Sequence, residues 1–155
     1  MANIVNEAPK KPPIPMSEQT RIIEYVVELV KNSSIFAGIP VSLNFVDASR
    51  DCVCVRLGSD NYKTAEYIDG TYEAQISFTV IYRRLNVSDL NERLDAIDLV
   101  NRFGEVLESM EEFTTGIAGV EVNSISQREP AGLIYRDNSG IEDNGTSFVL
   151  IYDKN

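Results

Sequence analysis

The sequence feature that most constrains the fold is a run of alternating side chains from Tyr72 to about Leu85. One set, which is apolar or aromatic, comprises Tyr72, Ala74, Ile76, Phe78, Val80 and Tyr82; the other comprises Glu73, Gln75, Ser77, Thr79, Ile81 and Arg83. A period of two predicts a β-strand with one buried face and one face that is wet or covered by a partner. The run is longer than an ordinary strand, and we expect so long a strand to reach a second chain. Asp69-Gly70, just before it, predicts a tight turn.

Shorter patterns predict the remaining elements. Residues 1–16 contain Pro9, Pro12, Pro13 and Pro15 and predict an extended, polyproline-like arm. A helix capped by Ser17 follows, and a second helix opens at Ser88 and ends near residues 111–113. Strands are predicted in 41–48, 51–57, 62–67, 120–127, 133–137 and 146–153, and residues 137–145 are predicted as a surface loop.

The order of these elements defines the fold class. An arm, a helix, three or four strands, a second helix and two or three strands predict an α+β domain. Its core would be an antiparallel sheet with two helices packed on one face. We therefore predict two regions, an extended Pro-rich N-terminal arm at 1–16 and one α+β domain at 17–155.

The charge balance excludes several classes of protein. The chain of 155 residues carries a formal net charge of −10, which argues against binding nucleic acid through its phosphates or docking on an anionic membrane. It does not exclude a protein through which nucleic acid passes. Apolar runs are too short to span a membrane, and the N-terminus does not resemble a secretory signal. We expect the chain to fold in the cytoplasm in which it is made.

No residue pattern predicts catalysis. Histidine is absent, which removes Ser-His-Asp, Cys-His and His-ligated metal chemistry. Cys52 and Cys54 are expected to be buried or half-buried thiols. The carboxylates of the second helix are expected to form a solvated face and not an acid–base pair; they are Asp95, Asp98, Glu108, Glu111 and Glu112. The prediction is therefore of no catalytic residue, no metal and no cofactor.

Tyrosines are concentrated around the predicted hairpin, at Tyr62, Tyr67, Tyr72 and Tyr82. Tyrosine combines a large apolar ring with a polar end and is enriched at protein interfaces. Ordinary sheet packing explains the same residues equally well, so both interpretations stay open.

The pattern as a whole resembles a family of virion proteins. It consists of "DCVCVRL", then "YIDGTYEA" with its alternating continuation, then a capped helix containing "NRFG". It is similar to the tail terminator or minor capsid (neck) proteins of long-tailed bacteriophages of Gram-positive hosts, over about residues 17–152. The resemblance implies a hexameric ring that caps the tail tube and joins it to the head-side connector, assembled in the host cytoplasm, with DNA crossing the channel without specific binding.

The resemblance makes the turn predicted at Tyr67–Tyr72 the first candidate for a contact with an adjacent subunit or the tube. The candidate interface residues are Tyr62, Tyr67, Asp69, Gly70, Tyr72, Pro12 and Pro13. Three alternatives remain: a head-tail connector or stopper of the same neck, a small enzyme using carboxylates and tyrosines, and a non-viral adaptor that binds by strand addition at a sheet edge.

Overall fold

The computed structural model describes residues 17–46, 49–58 and 62–155. These residues form two α-helices, a short 3₁₀ helix at Ser34–Phe36 and seven strands. The helices are α1 (Glu18–Lys31) and α2 (Leu90–Ser109); the strands are β1 (Val41–Leu43), β2 (Cys52–Leu57), β3 (Lys63–Glu66), β4 (Tyr72–Arg84), β5 (Val120–Gln127), β6 (Gly132–Arg136) and β7 (Glu142–Lys154). The predicted arm, with Pro12 and Pro13, lies outside the described residues.

The centre of the sheet is an antiparallel ladder of β4 and β7. Both strands are 13 residues long, and they pair without a break from Tyr72 opposite Lys154 to Arg84 opposite Glu142. We call the Tyr72 end the lower end and the Arg84 end the upper end. The long strand predicted from the alternation is therefore confirmed, and its partner is the last strand of the same chain.

Each outer edge of this ladder carries two strands, one above the other. β2 pairs with the upper part of β4 and β3 with its lower part, while β6 and β5 pair with the upper and lower parts of β7. These pairs are all antiparallel. β1 then adds to β2 in the parallel direction. The sheet is thus mixed, and the predicted antiparallel arrangement holds for every pair except β1–β2.

Both helices pack on the same face of the sheet, as predicted for this α+β domain. The buried face of α1 contains Ile22, Val26 and Val30, and that of α2 contains Ala96, Val100, Phe103 and Leu107. These side chains join one core with the inward residues of β2, β4 and β7, which include Val55, Phe78, Phe148 and Leu150. Phe78 and Phe148 stack at 5.4 Å, and Phe103 meets Phe148 edge to face at 5.8 Å.

The sequence predicted the N-terminal cap of α1 correctly and placed that of α2 one residue too early. Ser17 caps α1, accepting a hydrogen bond from the Thr20 amide at 3.3 Å, as predicted. The cap of α2 is Asp89, which accepts from the Glu92 amide at 2.9 Å, and not the predicted Ser88. Ser88 instead donates its backbone N–H to the Glu92 carboxylate. Ser88 and Asp89 are therefore both hydrogen-bonded to Glu92 in the first turn of α2.

The predicted surface loop at 137–145 is wrong in its second half. Residues 137–141 form the turn, but β7 already begins at Glu142, and Glu142 and Asp143 are almost fully buried. Burying two carboxylates is tolerable because each has an arginine partner: Arg93 lies 2.9 Å from Glu142, and Arg83 lies 2.7 Å from Asp143. Both partners are distant in sequence, so the local pattern of residues 137–145 gave no sign of them.

The opposite face of the sheet also contains buried side chains. Cys52, Cys54 and Ile81 are essentially inaccessible, and both cysteines are reduced thiols. The prediction that Cys52 and Cys54 are buried thiols is confirmed. Burial raises the pKa of the Cys54 thiol, which keeps it protonated and unreactive.

The close approach of β7 to β4 gives a first testable prediction. A Cβ on Gly145 would lie 2.3 Å from the Val80 carbonyl oxygen, which is backbone and cannot move aside. Gly145→Ala should therefore lower the free energy of unfolding by about 1–3 kcal/mol, as overpacking typically does, measured by urea denaturation. Gly132, opposite Gly145 on β6, has nothing within 4 Å of such a Cβ, so Gly132→Ala is the matched control. Equal stability of the two variants would contradict the prediction.

Candidate assembly surface

Three tyrosine hydroxyls converge on one carboxylate at the start of α1. Tyr62 donates to Glu18 Oε2 at 2.5 Å, Tyr152 donates to the same oxygen at 3.0 Å, and Tyr72 donates to it as well. The Tyr152 hydroxyl oxygen also lies 2.6 Å from the Tyr62 oxygen, so its single proton is shared between Glu18 and Tyr62. We call Glu18 with Tyr62, Tyr72 and Tyr152 the tyrosine cluster.

The electrostatics of the tyrosine cluster keep Glu18 ionised and the hydroxyls of Tyr72 and Tyr152 protonated. Burial disfavours ionised Glu18, but the hydrogen bonds from Tyr62, Tyr72 and Tyr152 outweigh burial and hold its pKa below the ordinary value. Lys154, with Nζ 3.6 Å from Glu18 Oε1, acts in the same direction. Burial and the bonds to Glu18 and Tyr62 raise the pKa values of Tyr72 and Tyr152 well above ordinary tyrosine. The carboxylate therefore stays charged and these hydroxyls stay donors near neutral pH.

This arrangement serves structure better than chemistry. It ties the first turn of α1 to β4 and β7 and uses the hydroxyls of three aromatic rings that pack beside the core. Two of the predicted interface residues, Tyr62 and Tyr72, are thus half-buried and engaged within the fold, with the Lys63 ammonium 4.5 Å above the Tyr72 ring.

The remaining predicted residues lie in the turn between β3 and β4. Tyr67 and Thr71 close this turn through a backbone bond of 2.9 Å, and Gly70 adopts a φ of +88°, which suits glycine. The Asp69 carboxylate accepts from the Thr71 hydroxyl at 2.7 Å and from its amide at 3.0 Å, and these bonds lower the pKa of Asp69. Asp69 and Gly70 therefore shape the turn that presents Tyr67.

The same turn exposes two large apolar side chains at the lower end of the sheet. Tyr67 is 55% exposed, and the next residue, Ile68, is fully exposed. We call residues 67–71 the hairpin tip. Tyr67 was selected from the sequence, but Ile68 was missed. Because Ile68 directly precedes the predicted Asp69-Gly70 turn, its exposure could have been predicted from the sequence.

Two more exposed apolar groups lie at the upper edges of the sheet, and neither was selected from the sequence. On one edge, Leu43 of β1 and the nearby Phe45 are 38% and 65% exposed. On the other edge, Leu133, Ile134 and Tyr135 of β6 are 46–56% exposed. The available signal was "LIY", three consecutive apolar residues that do not alternate as a half-buried strand would.

The helix layer contributes an open groove and a set of exposed carboxylates. The groove, of about 550 Å³, lies between α1 and α2 and is lined largely by Tyr25, Leu29, Val106 and Met110. As predicted, the carboxylates of α2 and the segment after it face solvent; they are Asp95, Asp98, Glu108, Glu111 and Glu112. Within residues 17–46, 49–58 and 62–155, no three acidic or cysteine side chains are grouped as metal ligands.

Neither of the two described α-helices is long and apolar enough to cross a membrane.

Comparison with known proteins yields a structural likeness alone. No protein-family model matches the sequence, and no curated protein matches it. Among solved structures, the fold is similar to a chain from the virion of a native gene transfer agent (GTA) particle, with a TM-score of 0.59 and 11% sequence identity. The match covers 83% of this chain and 91% of the other. At this identity the likeness establishes a shared fold.

The tyrosine cluster predicts a pH-dependent contribution to stability. Because the pKa of Glu18 is lower in the folded than in the unfolded chain, its contribution is complete above the ordinary value of 4.5 and is lost as pH falls through the folded pKa. Glu18→Gln should lower the free energy of unfolding at neutral pH by about 1–2 kcal/mol, the scale of hydrogen bonds to a charged group. The loss should shrink in acid.

Glu24→Gln is the matched control for this measurement, since Glu24 lies on the same helix and is exposed. Chemical denaturation at several pH values compares the three proteins. A Glu18→Gln effect that is the same at pH 3 and pH 7 would show that the charge of Glu18 contributes nothing.

Proposed function

We propose that this chain is a structural virion protein, the tail terminator of a long-tailed bacteriophage. In this role it forms a ring, which the sequence resemblance implies to be hexameric. The ring caps the tail tube and joins it to the head-side connector. The protein then works by binding other proteins and breaks no covalent bond.

The observation that carries the proposal is the fold itself. A solved chain with a similar fold belongs to a virion, and the alignment covers 83% of this chain and 91% of that chain. This likeness supports a virion role independently of the short sequence pattern on which the family resemblance depends. The two lines of support agree on the class of protein, and the position in the neck comes from the sequence resemblance.

The chemistry of the described residues fits a role in assembly. In the tyrosine cluster, Glu18 stays charged and the hydroxyls of Tyr72 and Tyr152 stay protonated, an arrangement suited to fastening a helix and not to proton transfer. The hairpin tip and the upper edges instead expose large apolar side chains, as contact surfaces often do.

The net charge of −10 suits a channel that DNA crosses. Clustered arginines and lysines would hold the phosphates and slow the passage of the duplex, whereas a surface with excess carboxylates repels them. Under this proposal the protein shows no measurable affinity for DNA at physiological salt.

The proposal is tested by partner binding. The purified protein is mixed with assembled tail tubes and, separately, with the head-side connector, and each mixture is examined by co-sedimentation and electron microscopy. A ring seated on the end of the tube supports the terminator role. Binding to the connector alone would assign the chain to the connector or stopper class, and binding to neither would overturn a role in the neck.

The hairpin tip is the proposed contact with the tube. Tyr67→Ala removes an exposed aromatic ring and should weaken tube binding at least tenfold, since aromatic anchors dominate many interfaces. Asp69→Ala should weaken binding less, because it loosens the turn without removing the ring. Circular dichroism should show both variants fully folded.

Asp137→Ala is the matched control for the tip variants. Asp137 accepts from the Ser139 hydroxyl at 2.7 Å and its amide at 2.9 Å, the same turn geometry as Asp69, but it lies at the upper end of the sheet. Its tube affinity should equal that of the wild type. If the Tyr67 variant also binds tubes normally, the tip is not the contact.

A further inference from the structure

One row of residues crosses the whole sheet and ends at an open edge on both sides. The pairing registers place Ser42 of β1 opposite Cys54, then Ile81, then Gly145, and finally Gly132 of β6. β1 and β6 are therefore at the same height on the sheet, on opposite edges. Within the described part of the chain, β1 pairs only with β2, and β6 pairs only with β7.

The two edge strands run in opposite directions. β1 is parallel to β2, which is antiparallel to β4, whereas β6 is antiparallel to β7 and so runs with β4. If a second copy is set beside the first in the same orientation, its β1 meets the first copy's β6 at the same height and antiparallel. Antiparallel pairing is the arrangement that two edges join most readily.

The backbone of β1 has hydrogen-bonding groups available for such a pairing. The Pro40 carbonyl accepts from Val53, and the Asn44 amide donates to Val55, so the even-numbered residues of this segment face β2. Because strand residues alternate, the N–H and C=O groups of Val41 and Leu43 point away from β2. An open edge of this kind is a template for another strand.

Exposed apolar side chains accompany both upper edges. Leu43 and Phe45 lie at the β1 edge, and Leu133, Ile134 and Tyr135 lie on β6. The lower edges differ: the exposed residues there are Lys63, Thr64 and Glu66 on β3, and Glu121, Asn123 and Ser126 on β5. Burial of apolar surface would therefore favour contact at the upper edges and not at the lower ones.

We infer that the β6 edge of one copy binds the β1 edge of the next copy, so that the sheet continues from subunit to subunit. The occupant of each edge is a second copy of this chain, because the matching height, the opposite direction and the apolar surface belong to two edges of one molecule. Such a contact joins two different surfaces and is heterologous, which closes into a ring when the rotation between copies allows it. The inference rests on the proposed ring and specifies its subunit contact.

The inference also gives the hairpin tip a separate task. The ladder places the tip at its lower end, about 40 Å below the Arg84 end at roughly 3.4 Å per residue. The upper edges then join neighbouring subunits while the tip is left exposed for a different partner. Lateral contacts and contacts along the tail thus use different surfaces.

Two lysine variants test the contact. Phe45→Lys damages the β1 edge and leaves β6 intact, while Ile134→Lys damages the β6 edge and leaves β1 intact. Both side chains are exposed, so the variants should fold. Each added lysine makes the net charge of −10 less negative and so weakens the general repulsion between copies. Charge repulsion therefore cannot explain a loss of association. Val106→Lys, on the exposed part of α2, is the matched control.

Sedimentation velocity and native mass spectrometry follow self-association across a concentration series. The wild type and Val106→Lys should associate as concentration rises, and each edge variant alone should remain a monomer. An equal mixture of the two edge variants restores a single intact contact and should stop at a dimer. That dimer is the specific signature of a heterologous contact.

Three results would overturn the inference: a wild type that is monomeric at every concentration, edge variants that associate like the wild type, or a mixture that forms no dimer. These results are distinguishable from a failure of the proposed function, which is measured by binding to tubes. Edge variants that still cap tubes as a ring would reject the edge contact alone. A wild type that self-associates but ignores tube and connector would reject the terminator role alone.

Discussion

The unbroken pairing of β4 with β7 is the interaction on which the rest of the structure depends. Each residue from Tyr72 to Arg84 has a partner on β7, so the two central strands form a rigid two-stranded base. Every other strand except β1 pairs directly with one of them. Both helices pack on the face where Phe78 and Phe148 stack. The core, the edges and the hairpin tip all take their positions from this ladder.

Polar contacts fix how the helices sit on that base. At the lower end, the tyrosine cluster fastens the first turn of α1 to β4 and β7. At the upper end, Arg93 of α2 reaches the buried Glu142 of β7. Near the middle, the α2 residue Asn101 accepts from the Gln127 side chain at 2.8 Å. Apolar burial tolerates sliding between layers, whereas these directional bonds select one arrangement.

The sequence predicted the parts of this fold that depend on local pattern. The alternation of 72–84, the apolar faces of α1 and α2, and the cap at Ser17 are all visible within a few residues. What it missed depends on contacts between distant residues. The parallel β1–β2 pair and the early start of β7 belong to this class, since buried Glu142 and Asp143 depend on arginines 49 and 60 residues away.

The candidate site divides in the same way. Asp69 and Gly70 were predictable because a tight turn has a local signature, and Tyr67 came with them. Tyr62 and Tyr72 could not be separated from Tyr67 by residue type, because only the fold shows that their hydroxyls meet Glu18. The exposed edge residues Phe45 and Ile134 were missed because exposure of an apolar residue depends on which strands lie at an edge.

The inferred edge contact would make this fold assemble in one direction. Five strands cross the upper row, and the row begins with a strand running one way and ends with one running the other. When two copies of such a sheet lie side by side in the same orientation, the facing edge strands are antiparallel. If the two edge strands of one sheet ran in the same direction, the facing strands of two such copies would be parallel. In the inferred contact, strand direction, height and apolar surface would together select the neighbour. Closure into a ring would then depend on the angle between copies. That angle would be set by the twist of the sheet and by the packing of Phe45 of one copy against β6 of the next.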